Sequence, residues 1–366
     1  MRRLACITTA LLLLAVTAYA QSGQGLVQTG DPAKRGLKQT DFPRWKELVP
    51  GVYSYEALRS GDTGGFMTTV SMFVVTTDGV LVADGQGNLE ETQKMIDNIK
   101  KITPQPIKYV VICSDHGDHT GGNAAFKTAN PNVVFVASPV SQKVLATNAN
   151  PPTETVADKR VMKMGKTEIQ ILNLGRAHTG GDLMVYVPNG KVLFMSEAYL
   201  HRVFPAMRSA FPSEWIETVK KAQKMNATWY IPGHGFVDDA QSLKAELDVY
   251  RKALEYVFTE SKRLHDAKVA CEVPQAAGGG GGGGRGAGRG EGRGAGGERG
   301  AAGERGAAGD RGAGRGAAAA PAPCEAAQKA NWGPYADWTL RTGQAQTAIL
   351  KVYEELDGKL PPKPKS

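Results

Sequence analysis

Beyond its first twenty residues the chain has no apolar run near the roughly 20 residues that cross a bilayer, so no later membrane span is expected. The leader also falls short of that length. It reads Met1-Arg2-Arg3, an apolar run through Val16, then Ala18-Tyr19-Ala20 before Gln21. This charged, apolar, small-residue order is that of a secretory signal peptide over residues 1–20, cleaved after Ala20, which implies a periplasmic or secreted protein with no stable membrane insertion. Cysteine is scarce. Cys6 precedes most of the apolar run, which argues against a lipoprotein attachment site and leaves Cys113, Cys271 and Cys324. A concentrated basic face is missing too. The formal charge of +8 includes Arg2, Arg3 and a glycine-rich tract with seven Arg against four acids, leaving +3 on the rest. The chain therefore does not read as a nucleic-acid binder.

The tract at 276–320 holds 21 of the 45 glycines and no bulky apolar side chain. It has no proline, so its short run of glycine-led triplets is not a stable collagen helix. It has no aromatics to stack on bases, and acids alternate with its arginines, so it does not read as an RNA-binding segment. The expectation is a disordered spacer. Cys271 and Cys324 bracket it, and in an oxidising compartment a bridge between them would close residues 271–324 into a loop; two free thiols are the alternative. Cys113 ends an apolar run and reads as a small buried residue.

With leader and tract set aside, about 300 residues remain, enough for one large domain with appendages. Residues 21–50 read as a linker or an arm that orders on contact, 51–270 as the domain, and 325–366 as a helix returning to it. Strands are predicted at 67–76 and 80–83 around Thr77-Asp78-Gly79, and at 107–113, 133–137, 168–174, 183–187, 191–195 and 228–231. Asn189-Gly190 signals a hairpin. Helices are predicted at 88–102, with Leu89, Met95, Ile96 and Ile99 on one face, at 213–225 capped by Ser213, at 241–268, and at 338–356. Strands and helices alternate, giving an α+β or mixed class.

The chemistry concentrates in Ser114-Asp115-His116-Gly117-Asp118-His119, on a turn directly after the strand that ends at Cys113. Two imidazoles and a carboxylate within four residues suit a borderline divalent cation such as zinc. Of six histidines, two more lie in glycine-rich turns at strand ends, His178 in His178-Thr179-Gly180-Gly181 and His234 in Gly233-His234-Gly235.

In these motifs, over roughly residues 50–270, the sequence resembles the metallo-β-lactamase superfamily. Asp84 in Ala83-Asp84-Gly85 matches a supporting Asp at a strand end, and Ser114 to His119 matches the HxHxDH motif except at its first position. His178 and His234 match two later motifs, and Glu197 stands where many hydrolases of the family place a metal-bridging Asp. The resemblance implies a four-layer αββα sandwich with a metal site on the sheet edges between its halves. It assigns Asp118, His119 and His234 to one metal, and His116 and His178 to another whose third ligand is replaced by Ser114. Three readings follow from that replacement. One zinc works while His116 and His178 orient or deprotonate the water and Asp118 helps position it; two zinc ions bind with Glu197 or another group completing the weak site; or catalysis has decayed and the fold binds a ligand. The implied activity is hydrolysis of an ester, lactone, amide, lactam or similar bond in a small molecule, with β-lactamase as a narrower alternative. Tyr199 is a candidate oxyanion donor against a packing role. His201 is a candidate replacement ligand against a solvent-facing loop position.

Overall fold

The computed structural model describes residues 27–59, 67–272 and 323–363. The expected signal peptide and the glycine-rich tract lie outside the described residues. The strands are β1 Arg44–Val49, β2 Val52–Leu58, β3 Thr68–Thr76, β4 Gly79–Ala83, β5 Ile107–Val111, β6 Val134–Ala137, β7 Glu154–Thr155, β8 Lys159–Met164, β9 Thr167–Leu172, β10 Met184–Val187, β11 Val192–Leu200 and β12 Trp229–His234. The helices are α1 Leu89–Ile102, α2 Gly117–Thr120, α3 Ala124–Ala129, α4 Pro139–Val144, α5 Pro212–Lys224, α6 Ala240–Asp266, α7 Glu325–Lys329 and α8 Arg341–Leu356.

The strands form one mixed sheet ordered β7-β6-β5-β4-β3-β12-β11-β10-β9-β8, with β1 and β2 on the free flank of β3. The halves meet where β3 and β12 pair through the single couple Thr69 and His234. A continuous sheet joined by one residue pair can fold back on itself there, and the side-chain alternation shows that it does. In β4, Val80 and Val82 face one apolar cluster while Leu81 and Ala83 face another. The first cluster takes Met95, Ile96 and Ile99 of α1 and Phe126 of α3. The second contains Ile169, Ile171, Val185 and Phe194 from the other half, then Trp215 of α5 and Leu247 and Leu254 of α6. The layers therefore run α1/α3, first half-sheet, second half-sheet, α5/α6/α8, which is the αββα order. Every residue of β11 is buried because both its faces are covered.

Local chemistry sets the ends of these elements. Asn88 caps α1 by accepting from Glu91 N, and Asp239 caps α6 by accepting from Ser242 N. Helix α5 begins one residue before its expected cap: Pro212 takes the first helical position, where its preset φ and missing N–H suit it, so Ser213 lies inside the helix. Leu89, expected on the buried face of α1, is 57% exposed in the first turn. Strand β12 runs three residues past the expected end and carries His234 to the joint between the half-sheets.

The segment expected to be an arm or linker contains β1, paired antiparallel to β2. Two cations hold it. Lys46 Nζ donates to the carbonyls of Val237 and Asp238, and Arg35 forms an ion pair with Asp238 at 2.7 Å. Cys271 and Cys324 are joined by a disulfide across 53 residues of sequence. Cys113 is buried and free.

Candidate metal centre

Three loops and two strands converge at the joint. Asp84, just after β4, adopts φ 61°, a conformation that Asp tolerates better than most side chains. Its Oδ1 accepts from Cys113 N at 2.7 Å and Ser114 N at 3.3 Å, and its Oδ2 accepts from Ser196 Oγ. Asp84 thus ties the end of β5 to β11, and its Oδ2 lies 3.1 Å from His119 Nδ1. It supports the site from behind and does not line the cavity.

Strand β11 brings in Glu197. Its register with β12 shifts on both sides of Ser196, which has φ 49°. Such a bulge re-aims a side chain, and here Glu197 enters the space between the histidine loops. Gly233 makes room for it: a Cβ there would lie 2.5 Å from the Ser196 carbonyl carbon and 2.7 Å from Glu197 N.

Two overlapping groups of donor atoms result, each lying within 4.8 Å of one another: Asp118, His119, Glu197 and His234, and His116, His178 and Glu197. His234 Nε2 is 3.3 Å from Asp118 Oδ2, 3.2 Å from Glu197 Oε1 and 3.3 Å from His119 Nε2. His116 Nδ1 is 2.8 Å from Glu197 Oε2, and His178 Nε2 is 3.1 Å from both Glu197 Oε1 and His116 Nδ1. Ser114, at the departure from the motif, donates its hydroxyl to Glu197 Oε2. Outer contacts orient the rings: His234 Nδ1 bonds to Thr68 O at 2.7 Å, Arg59 Nε donates to Asp118 Oδ2, and the edge of His178 meets Trp215 at 5.2 Å between centroids.

The electrostatics are those of buried anions gathering positive charge. Burial favours a neutral carboxyl at Glu197, yet His178 and His116 hold it well below the usual carboxylate range. Burial likewise disfavours imidazolium at His116, but the Glu197 charge overrides it and raises His116 to about 9. At His234, burial is outweighed by hydrogen bonds to Asp118 and Glu197, which raise it to about 10. His178, where burial dominates, is lowered. Imidazole nitrogens facing each other at 3.1 to 3.3 Å around two carboxylates form a donor set of the kind a borderline divalent cation takes. The residues present fit a zinc centre.

These side chains open into a cavity of about 480 Å³. Its floor includes His116, Asp118, His178, Glu197 and His234, and its walls include Arg59, Leu200, Val203 and Arg208. One wall comes from the C-terminal segment, through Leu340, Gly343, Gln344 and Thr347. None of these wall residues is conspicuous in the sequence. Arg59 lies 59 residues before Asp118, and α8 follows the glycine-rich tract, so no local motif links either to the histidines.

Two candidates fall outside the site. The Tyr199 hydroxyl lies 3.5 Å from Leu243 O and its ring packs on Tyr250 and His201, so it has the packing role and is not placed as an oxyanion donor. His201 is neither a ligand nor solvent-facing: it is fully buried, with Nδ1 at 2.8 Å from Phe236 O and Nε2 at 3.7 Å from Glu246. The turn after β11 is covered by α6, which removes the solvent that a loop position suggested. His265 lies on α6 and contacts Asp357 at 2.9 Å, away from the cavity.

The fold, together with a donor cluster at the joint of two half-sheets, defines a class. Residues 64–234 match the model of the metallo-beta-lactamase superfamily. Among similar proteins, the metallo-beta-lactamase type 2 of Elizabethkingia meningoseptica is 24% identical over 218 residues, covering 58% of this chain and 86% of that one. The enzyme of the same name from Bacillus sp. (strain 170) is 20% identical over 237 residues, covering 63% and 88%. A solved metallo-beta-lactamase from Pontibacter korlensis superposes with a TM-score of 0.52 at 22% identity, over 57% of this chain and 99% of that one. TMB-1 does so with 0.51 at 17% identity, over 58% and 98%. The matched segment ends at His234, so α6, the disulfide and the α8 wall of the cavity lie beyond it.

Proposed function

We propose that the protein is an exported, zinc-dependent hydrolase acting on an ester, lactone, amide or lactam bond of a small molecule. The observation that carries this reading is the convergence of His116, Asp118, His119, His178, Glu197 and His234 at the floor of one cavity. Zinc held there supplies a Lewis acid for the scissile carbonyl and lowers the pKa of water from about 15.7 toward about 7. The chain's own residues do the positioning. Arg59 fixes Asp118, which would help orient the attacking water. His178 is kept neutral by burial, so its Nε2 is available as a ligand or to accept a proton. Leu200, Val203 and Leu340 exclude bulk water from one side, and Arg208 gives the wall a cation suited to a substrate with an anionic group. Export is supported by the leader pattern and by the Cys271–Cys324 disulfide, a bond that persists in oxidising compartments.

The names of the relatives favour a lactam as the first substrate to try. Purified protein, assayed for bound zinc beside turnover of a chromogenic cephalosporin, an aryl ester, a lactone and a phosphodiester, tests the reading. Turnover that chelation abolishes and zinc restores is the expected result. His119→Ala and His234→Ala are each expected to lower zinc uptake and turnover together by at least about a hundredfold. Activity that survives chelation and both substitutions overturns the proposal. A folded chain with neither zinc nor turnover leaves the fold as a binding module.

A further inference from the structure

We infer that Ser114 and Glu197 are an exchanged pair, in which the longer acid supplies the metal ligand that the serine gave up and the serine holds that acid in place. The inference rests on the zinc reading above and extends it to a second ion in the group formed by His116, His178 and Glu197.

Three observations carry it. At position 114 a hydroxyl replaces an imidazole, leaving His116 and His178 as two ligands in need of a third. Glu197 meets that need: its Oε2 lies 2.8 Å from His116 Nδ1, while its Oε1 lies 3.1 Å from His178 Nε2 and 3.2 Å from His234 Nε2. One carboxylate therefore addresses both groups: Oε2 faces His116, and Oε1 faces His178 and His234. A glutamate also reaches about 1.5 Å further than an aspartate, one carbon–carbon bond, and that added reach spans toward the side of the site where Ser114 stands. Finally, the Ser114 hydroxyl is spent on Glu197 Oε2. Both side chains are buried. A serine that was simply a lost ligand would have no reason to fix the rotamer of this acid. An imidazole at 114 would have to share its space with the Glu197 carboxylate.

The alternative within the same fold is one zinc on Asp118, His119 and His234, with Glu197 neutralising protonated His116. The two differ in metal count, which is readable without any substrate. Chelator-stripped protein titrated with Zn²⁺ alone, with bound metal measured by elemental analysis after gel filtration, is expected to hold two ions per chain. Glu197→Asp is expected to hold one. Ser114→His with Glu197→Asp, which restores the usual pair, is expected to hold two again. Ser114→Ala should weaken the second ion by about tenfold to a hundredfold, the cost typical of losing a group that orients a ligand. Thermal melting of each variant separates loss of fold from loss of a ligand. One ion in the wild-type protein, with turnover intact, overturns the exchange and leaves the hydrolase standing; zero ions overturns both. Two ions in Glu197→Asp alone, or only one in the folded double variant, also overturns the exchange.

Discussion

Asp182 shows at single-residue scale how burial governs the loop that carries His178. It accepts from Thr179 N at 2.8 Å and from Thr179 Oγ1 at 2.9 Å, fixing the turn of His178-Thr179-Gly180-Gly181. Burial dominates its ionisation and raises it from 3.8 to about 8, against those two hydrogen bonds. A carboxyl raised on folding binds its proton more tightly in the native state. Its contribution to stability is therefore complete below about pH 4 and is lost as pH rises through about 8. Asp182→Asn, which keeps one acceptor and carries no charge, should raise the melting temperature relative to wild type more at pH 8 than at pH 5. An equal change at both values would show that Asp182 stays ionised throughout. The residues of the candidate metal centre were legible as residues, because His116, Asp118, His119, His178 and His234 stand in glycine-rich turns. Arg59, Thr68 and Trp215 were not legible. They act through orientation and contact across the fold, and such contacts leave no periodicity or motif behind.

Among the elements, α8 and β11 decide what the site can admit. Helix α8 packs against α6 through Ala345, Ala348, Ile349 and Val352, and its first turns face the cavity through Gly343, Gln344 and Thr347. The stacking of Trp338 on Tyr250, 6.3 Å between centroids, anchors the approach to it. A Cβ on Gly343 would meet nothing within 4 Å. Gly343→Ala should therefore stabilise the helix by about 0.5 to 1 kcal/mol, read from the denaturation midpoint, with zinc content unchanged. Gly343→Trp fills the same free space, and should raise KM at least about fivefold for whichever substrate is turned over while leaving bound zinc as it was. An unchanged KM would mean that substrates do not reach this wall. For Gly233 the sign is opposite. The clash of a Cβ with β11 predicts a loss of about 1 to 3 kcal/mol for Gly233→Ala, and the displaced Glu197 should reduce zinc uptake with it. The helix that contains α8 was legible from its apolar spacing, but its cavity face was not, since the same spacing serves any helix that packs on a core.

In the whole molecule, two devices hold the ends of the chain to the sandwich. At the N-terminal side, Lys46 of β1 and Arg35 ahead of it attach this segment to the turn after His234. At the C-terminal side, the Cys271–Cys324 disulfide closes a 53-residue separation just before α7. Closing a loop of that length removes roughly 4 kcal/mol of unfolded-chain entropy on the loop model. Reduction, or the pair Cys271→Ser and Cys324→Ser, is expected to lower unfolding free energy by up to about that amount and to expose α8 to proteolysis before the rest. Coincident digestion of α8 and the core would argue against the bond as its tether. Sequence alone determined the class of fold and the identity of the histidine-bearing loops that meet at the joint. Alternating apolar strands with amphipathic helices leave few ways to bury their faces, and metal-binding side chains cluster at turns where glycine lets the backbone approach. Only the tertiary structure decided that Ser114 bonds to Glu197, that His201 is sealed beneath α6, and that a helix more than a hundred residues past His234 walls the cavity. Those outcomes depend on which surfaces meet when the two half-sheets close, a long-range packing result that no local run of residues encodes.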